Sequence, residues 1–269
     1  MLDDLAEAAL AAGTAILEIY QRGDFAARVK SDGSPVTEAD ARAEAVIFER
    51  LGLVAPGIPV VAEEAAGQGR IPATPARFLL VDPLDGTKEF LGRNGDFTVN
   101  IALIEGGRPV LGVVYAPAHG VLYAGQEGRG ARRAQVVGGQ VGSWADISVR
   151  QAPPSGLAVV ASRSHMSEET GAFIGLFPVA ELIAAGSSLK FCTVAAGAAD
   201  LYPRLGRTME WDTAAGDAVL RAAGGAVRDM DGEFLIYGKR DQAHDADFAN
   251  PWFVASGAFN PFDFAQGDR

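Results

Sequence analysis

The chain has 269 residues, 48% apolar and 21% charged, which is the composition of an ordinary globular protein of one large domain or two intimate halves. Its 34 acidic residues exceed its 23 Lys and Arg, a formal charge of −11 that repels nucleic acid polymers and anionic membranes. Cys192 is the single cysteine, so no intrachain disulfide can form.

Residues Leu2 to Gln21 read as an amphipathic acidic helix ended by Gly23, without the basic flank of a secretion signal. No apolar run approaches the roughly 18 residues of a membrane span, so a cytoplasmic protein without integral membrane association is expected. After the polar KSDGSP stretch, Thr37 opens a second helix with apolar residues at Ala39, Ala43, Val46, Ile47 and Leu51. Two short apolar runs follow, IPVVAEE and ARFLLVDP, which read as buried strands with carboxylates at their exits. Two β-rich runs around Glu105-Gly106-Gly107-Arg108 form a hairpin, and the Gly- and Arg-rich stretch from Gly125 to Val141 reads as a surface excursion of further hairpins.

The texture changes near Gln151 to Ser155, which sets an expected division into residues 1–150 and 151–269. The second half alternates a strand at LAVVAS, a helix near Glu168 to Leu176, a strand near Val179 to Ile183, a helix from about Lys190, a strand at DLYPR and a helix from Asp212 to Ala223. The fold class is mixed α/β and layered: a meander-rich N-terminal half and a more regular α/β C-terminal half.

The most informative segment is Asp82-Pro83-Leu84-Asp85-Gly86-Thr87. Two acids three residues apart at a buried strand end can aim Asp82, Asp85 and the Leu84 carbonyl at one hard cation. The Gly86 and Thr87 amides beyond them can hold a phosphate oxygen. Glu63-Glu64 closes another strand, and alternation lets one of the two enter a site. Asp40 fits a capping box begun by Thr37, and Asp212 sits where a helix N-cap belongs, so each also has a purely structural reading. His119, His165 and His244 lack zinc spacing, and no nucleophile elbow or Walker loop is present. Oxygen ligands beside a phosphate cradle suggest metal-assisted phosphoryl transfer to water.

DGSPVTEAD, VAEE, LLVDPLDGT and WDTAAGDAVLRAAGG, in this order, resemble the signature set of the lithium-sensitive inositol monophosphatase superfamily, over about residues 2 to 256. Phe78 stands near a position often held by Trp, a packing change that touches no ligand. The resemblance implies a layered αβαβα sandwich and two or three Mg²⁺ held by Glu63, Asp82, Asp85, Asp212 and the Leu84 carbonyl. It implies a catalytic group of Asp40, Thr87 and Glu63, with Asp40 and Thr87 positioning and deprotonating the attacking water.

DPLDGTKEFLGRNGDFTVNIALI, SRSH at Ser162 to His165, GSSLKFC at Gly186 to Cys192 and LYPR at Leu201 to Arg204 are similar to the CysQ-type 3'(2'),5'-bisphosphate nucleotidase branch. That branch hydrolyses adenosine 3',5'-bisphosphate to AMP and phosphate, clearing a by-product of sulfate activation. The implied substrate contacts are Gly86, Thr87, His165, Ser187, Lys190 and Arg204, and the implied partner is a small phosphorylated nucleotide. A homodimer is compatible with the sequence. Two other readings stay open at this point: an inositol-1-phosphate phosphatase, which shares every metal-ligand motif, and a metal- or nucleotide-binding regulator without turnover.

Overall fold

The computed structural model describes residues 1–23, 25, 27–29, 35–162 and 166–266. In chain order the elements are α1 (Leu2–Arg22), β1 (Arg28–Val29), β2 (Pro35–Val36), α2 (Glu38–Val54), β3 (Val60–Ala62), α3 (Glu63–Gly67), β4 (Arg77–Asp85) and α4 (Thr87–Leu91). Next come β5 (Thr98–Glu105), β6 (Arg108–Ala116), β7 (Val121–Gln126), β8 (Gly130–Val137), β9 (Gln140–Val141), β10 (Ala145–Ile147), β11 (Leu157–Ser162) and α5 (Glu168–Ile174). The chain closes with β12 (Val179–Ala185), α6 (Leu189–Ala195), β13 (Leu201–Arg204), α7 (Glu210–Ala222), β14 (Ala226–Asp229), β15 (Phe253–Ser256) and α8 (Pro261–Gln266).

Two main sheets organise these elements. The larger runs β10-β8-β7-β6-β5-β4-β3 and is antiparallel except for the parallel β3–β4 pair; β9 pairs with β8 off its path. The smaller runs β12-β11-β13-β15-β14, parallel at β12-β11-β13 and antiparallel beyond.

The period-two alternation of the buried strands builds the layers. On β4 and β5, Leu79, Val81, Val99, Ile101 and Leu103 meet α1 and α2 in one core. Their neighbours Phe78, Leu80, Ala102 and Ile104 face the other way, into a core with α6, α7 and the inner face of the small sheet, including Tyr202, Val227, Phe253 and Ala255. The outer face of that sheet, Leu157, Val159, Leu201 and Val254, meets Phe173 and Phe177 at α5 and Phe262 at α8. The order is helices, sheet, helices, sheet, helices: an αβαβα sandwich, with α7 at its centre.

Three sequence expectations need correction. The Gly125–Val141 stretch is not an excursion, because β7 and β8 extend the large sheet. Gly125 serves close approach there: a Cβ on it would lie 2.6 Å from the Val219 Cα of α7. Strand β3 stops at Ala62, and Glu63-Glu64 open the short helix α3. The buried Glu44 carboxylate of α2 accepts from the Glu64 and Ala65 amides at 2.9 and 3.1 Å, a remote partner that local alternation does not reveal. Finally, α7 begins at Glu210 with Met209 as cap, and Asp212 occupies the third helical position instead of the cap. The Met209 amide donates to Asp212 Oδ2 at 2.8 Å, and Glu210 at the first helical position is fully buried, accepting from the Gly238 and Lys239 amides and pairing with the Lys239 ammonium.

Candidate active site

The termini of β4, α3, α4, α6, β13 and α7 converge on one cavity of about 270 Å³. Of the residues singled out in the sequence, Glu63, Asp85, Gly86, Thr87, Ser187, Lys190, Arg204 and Asp212 line it. Asp82 and Asp40 lie behind its wall, each 1% exposed, and Leu84 is buried with them. His165 falls outside the described residues.

At the end of β4 the register with β5 shifts between Asp82 and Asp85, a bulge that takes Pro83 and Leu84 out of the ladder while Asp82 and Asp85 stay opposite Asn100 and Thr98. Gly86 follows at φ 93°, in the left-handed region where a side chain would also crowd the Asp96 carbonyl at 3.1 Å. That turn starts α4 at Thr87.

The Asp40 carboxylate does two jobs with two oxygens. Oδ2 accepts from the Thr37 amide and hydroxyl, both at 2.7 Å, which is the expected capping box. Oδ1 accepts from the Thr87 hydroxyl at 3.2 Å, across 47 residues of chain. The helix cap and the cavity thus share one side chain.

Asp85 is clamped between β5 and the start of α6. Its Oδ2 accepts from the Ser188 amide at 2.7 Å and from Asn100 Nδ2 at 3.3 Å. Asn100 Nδ2 also donates to Ser188 Oγ at 3.0 Å, and that hydroxyl donates to the Asp212 carbonyl at 2.8 Å. Asn100 and Ser188 therefore tie Asp85 to Asp212. The Asp212 side chain accepts from the Met209 amide at 2.8 Å.

The acids repel one another. Burial, and after it Glu63, Asp85 and Asp212, pushes the Asp82 carboxyl well above the usual carboxylate range. Burial followed by Asp85 and Glu63 does the same to Asp212. Asp85 is raised by burial too, against the opposing pull of Lys190 and of the Asn100 and Ser188 hydrogen bonds.

Lys190 is 5% exposed and donates to the Ser187 carbonyl at 2.6 Å. Burial lowers its pKa to about 8, although Asp85, Glu89 and Asp96 favour its charge. Ser187 has φ 43°, a strained conformation for a residue with a Cβ, and its buried Oγ has no hydrogen-bond partner among the described residues.

Several participants were not anticipated. Glu44, Asn100 and Ser188 position the acids, while Lys88, Arg207 and Thr208 line the cavity. Thr98 and Asn100 carried a usable signal, since they are polar at positions of a strand that is otherwise buried. Arg207 carried none.

The donor set fits a hard cation. Among the described residues no group of three or more His, Cys, Asp or Glu side chains is brought together closely enough to hold a metal ion by itself. Mg²⁺ keeps several waters and takes one or two carboxylates together with substrate phosphates, so Glu63, Asp85 and Asp212 at the cavity are donors of the right chemistry for it. The mutual repulsion of Asp82, Glu63, Asp85 and Asp212 is what such a charge would relieve.

The model of the inositol monophosphatase family matches residues 1–257. The chain belongs to the inositol monophosphatase family. Among curated relatives, the 3'(2'),5'-bisphosphate nucleotidase CysQ of Shigella flexneri is 46% identical over 257 residues, 95% of this chain and 99% of that protein. The crystal structure of CysQ from Bacteroides thetaiotaomicron aligns with TM-score 0.78 at 38% identity, covering 96% of this chain and 97% of that one. An inositol monophosphatase from Anabaena aligns with TM-score 0.74 at 26% identity, covering 98% and 93%. Among the described residues no helix is long and apolar enough to cross a membrane.

Proposed function

We propose that this chain is a Mg²⁺-dependent 3'(2'),5'-bisphosphate nucleotidase that hydrolyses adenosine 3',5'-bisphosphate to AMP and phosphate. The observation that carries the reading is one cavity bearing the carboxylates Glu63, Asp85 and Asp212 together with Lys190 and Arg204, in a chain similar over nearly its whole length to CysQ. The phosphate that is not cleaved is a second anion, and cationic groups in the same cavity are the partners it requires.

Glu63, Asp82, Asp85, Asp212 and the Leu84 carbonyl would hold two or three Mg²⁺, which supply charge for the transferring phosphoryl group and acidify a bound water. The protein's own part begins at Thr87. Its hydroxyl donates to Asp40 Oδ1 at 3.2 Å, with the Leu84 carbonyl a longer second acceptor at 3.4 Å, and its oxygen is the group that accepts from a water in the cavity. Asp40, buried and fixed by Thr37, is the base that receives the proton through Thr87. The Gly86 and Thr87 amides lie where α4 starts and contact the phosphate being cleaved. Ser187, Lys190, Arg204 and His165 are assigned to the nucleotide and its remaining phosphate.

Phosphate release from adenosine 3',5'-bisphosphate, inositol 1-phosphate and fructose 1,6-bisphosphate, with Mg²⁺ and then with excess chelator, tests this reading. Preference for the nucleotide, lost on chelation and inhibited by Li⁺, is the expected result. Full activity in chelator overturns the metal assignment, and preference for inositol 1-phosphate overturns the substrate.

A further inference from the structure

The cations of the cavity differ in depth and in freedom. Lys190 is 5% exposed, and its ammonium is committed to the Ser187 carbonyl and lies within the field of Asp85 and Glu89. Arg204 lines the cavity together with Lys190, Asp85 and Asp212, and its charge opposes that of Lys190 while favouring that of Asp212. These two charges therefore offset the carboxylates as much as they attract a ligand.

Arg207 is different. It lines the same cavity three residues beyond Arg204, with a side chain 61% exposed. Its ion pair is with Asp245, at 3.1 Å, and Asp245 is itself 43% exposed. A pair this exposed is worth about 0–1 kcal/mol, so exchanging one anion for another costs little.

Its backbone, in contrast, is fixed from two sides. The Arg207 carbonyl accepts from Arg204 Nη2 at 3.2 Å. At the next residue, the Thr208 carbonyl accepts from the Asn250 amide at 2.9 Å, and Asn250 Nδ2 donates to the Thr208 hydroxyl at 3.2 Å. The result is a guanidinium on a rigid base at the rim of the cavity, free to turn inward.

Resting on the nucleotidase reading, we propose that Arg207 is a specificity-determining residue that grips the phosphate not being cleaved, giving up Asp245 for it. A guanidinium presents a fork of N–H donors that matches two phosphate oxygens. The phosphate left on the nucleotide carries up to two negative charges and outcompetes a single carboxylate at the rim. Asp245 keeps the arginine extended when no substrate is present and competes with the substrate for it.

The test compares kcat/KM for adenosine 3',5'-bisphosphate with that for adenosine 3'-monophosphate in wild type, R207A, D245N and the double variant, at low and high salt. The expected ratio falls about tenfold in R207A, mostly through KM for the bisphosphate, the size of one charge-assisted contact. It rises in D245N at low salt, and the rise vanishes in the double variant. An unchanged ratio in R207A, an equal loss on both substrates, or a D245N gain that survives without Arg207 overturns the assignment. A wild-type ratio of one is a different failure, because it removes the nucleotidase reading itself.

Discussion

Replacing Thr87 by Val separates the two jobs of Asp40. The substitution keeps the side-chain shape and deletes the hydroxyl that donates to Asp40 Oδ1 at 3.2 Å. Asp40 Oδ2 keeps both Thr37 contacts, so the cap of α2 survives. The stability cost is that of one hydrogen bond to a buried carboxylate, about 1.5–3 kcal/mol. The rate cost is larger, since loss of a positioned acid–base path is worth about 10²-fold or more, near 2.7 kcal/mol in the barrier. Asp40→Asn should show a similar rate loss together with about 1 kcal/mol of stability from the weakened cap. In the double variant the rate losses should not add, because both remove one path. Single-turnover phosphate release at saturating Mg²⁺, with urea unfolding of each variant, measures both quantities. If Thr87→Val keeps most of the wild-type rate while losing stability, the Asp40–Thr87 contact is a tie between elements and the proton path is wrong.

Three further outcomes follow from the geometry. Asp85→Asn removes the charge clamped by Ser188 and Asn100, and should cut turnover by about 10²-fold or more while weakening Mg²⁺ binding in calorimetry; unchanged Mg²⁺ affinity contradicts its role as a ligand. The Lys190 ammonium, with its pKa lowered to about 8, is present below that pH and lost above it, so kcat/KM for the bisphosphate should fall as pH rises through 8, and a flat profile to pH 9.5 counts against Lys190 as a binding charge. Arg150→Ala leaves the fully buried Asp200 carboxylate without its two-pronged partner at 2.7 and 2.8 Å; allowing for the half-exposed arginine, urea unfolding should show a loss of about 2 kcal/mol with turnover kept, and a loss below the noise would mean that solvent replaces the pair.

The reach of the sequence depended on whether the informative partner was near in the chain. The cap at Thr37 and Asp40, the end of α1 at Gly23 and the Gly106-Gly107 hairpin are set by residues within a few positions, and all stand where local pattern put them. The DPLDGT segment was legible because two acids after a buried strand demand a reason to be there. What stayed hidden depends on distant contacts. Glu44 reaches the α3 amides across 20 residues, and Ser188 reaches Asp85 across 103. Nothing in the stretch beyond Gly225 announced that β14 and β15 would complete the small sheet, since each is only four residues long and finds its partner antiparallel across an irregular segment. Arg207 reads as any exposed arginine until β13 and α7 bring its loop to the cavity.

The most direct test of the central claim is the identity of the products. Adenosine 3',5'-bisphosphate incubated with the protein and Mg²⁺, followed by phosphorus NMR, should yield one equivalent of phosphate and 5'-AMP, with the 5'-phosphate untouched. Release of both phosphates, formation of 3'-AMP, or no reaction where inositol 1-phosphate is hydrolysed would contradict the account.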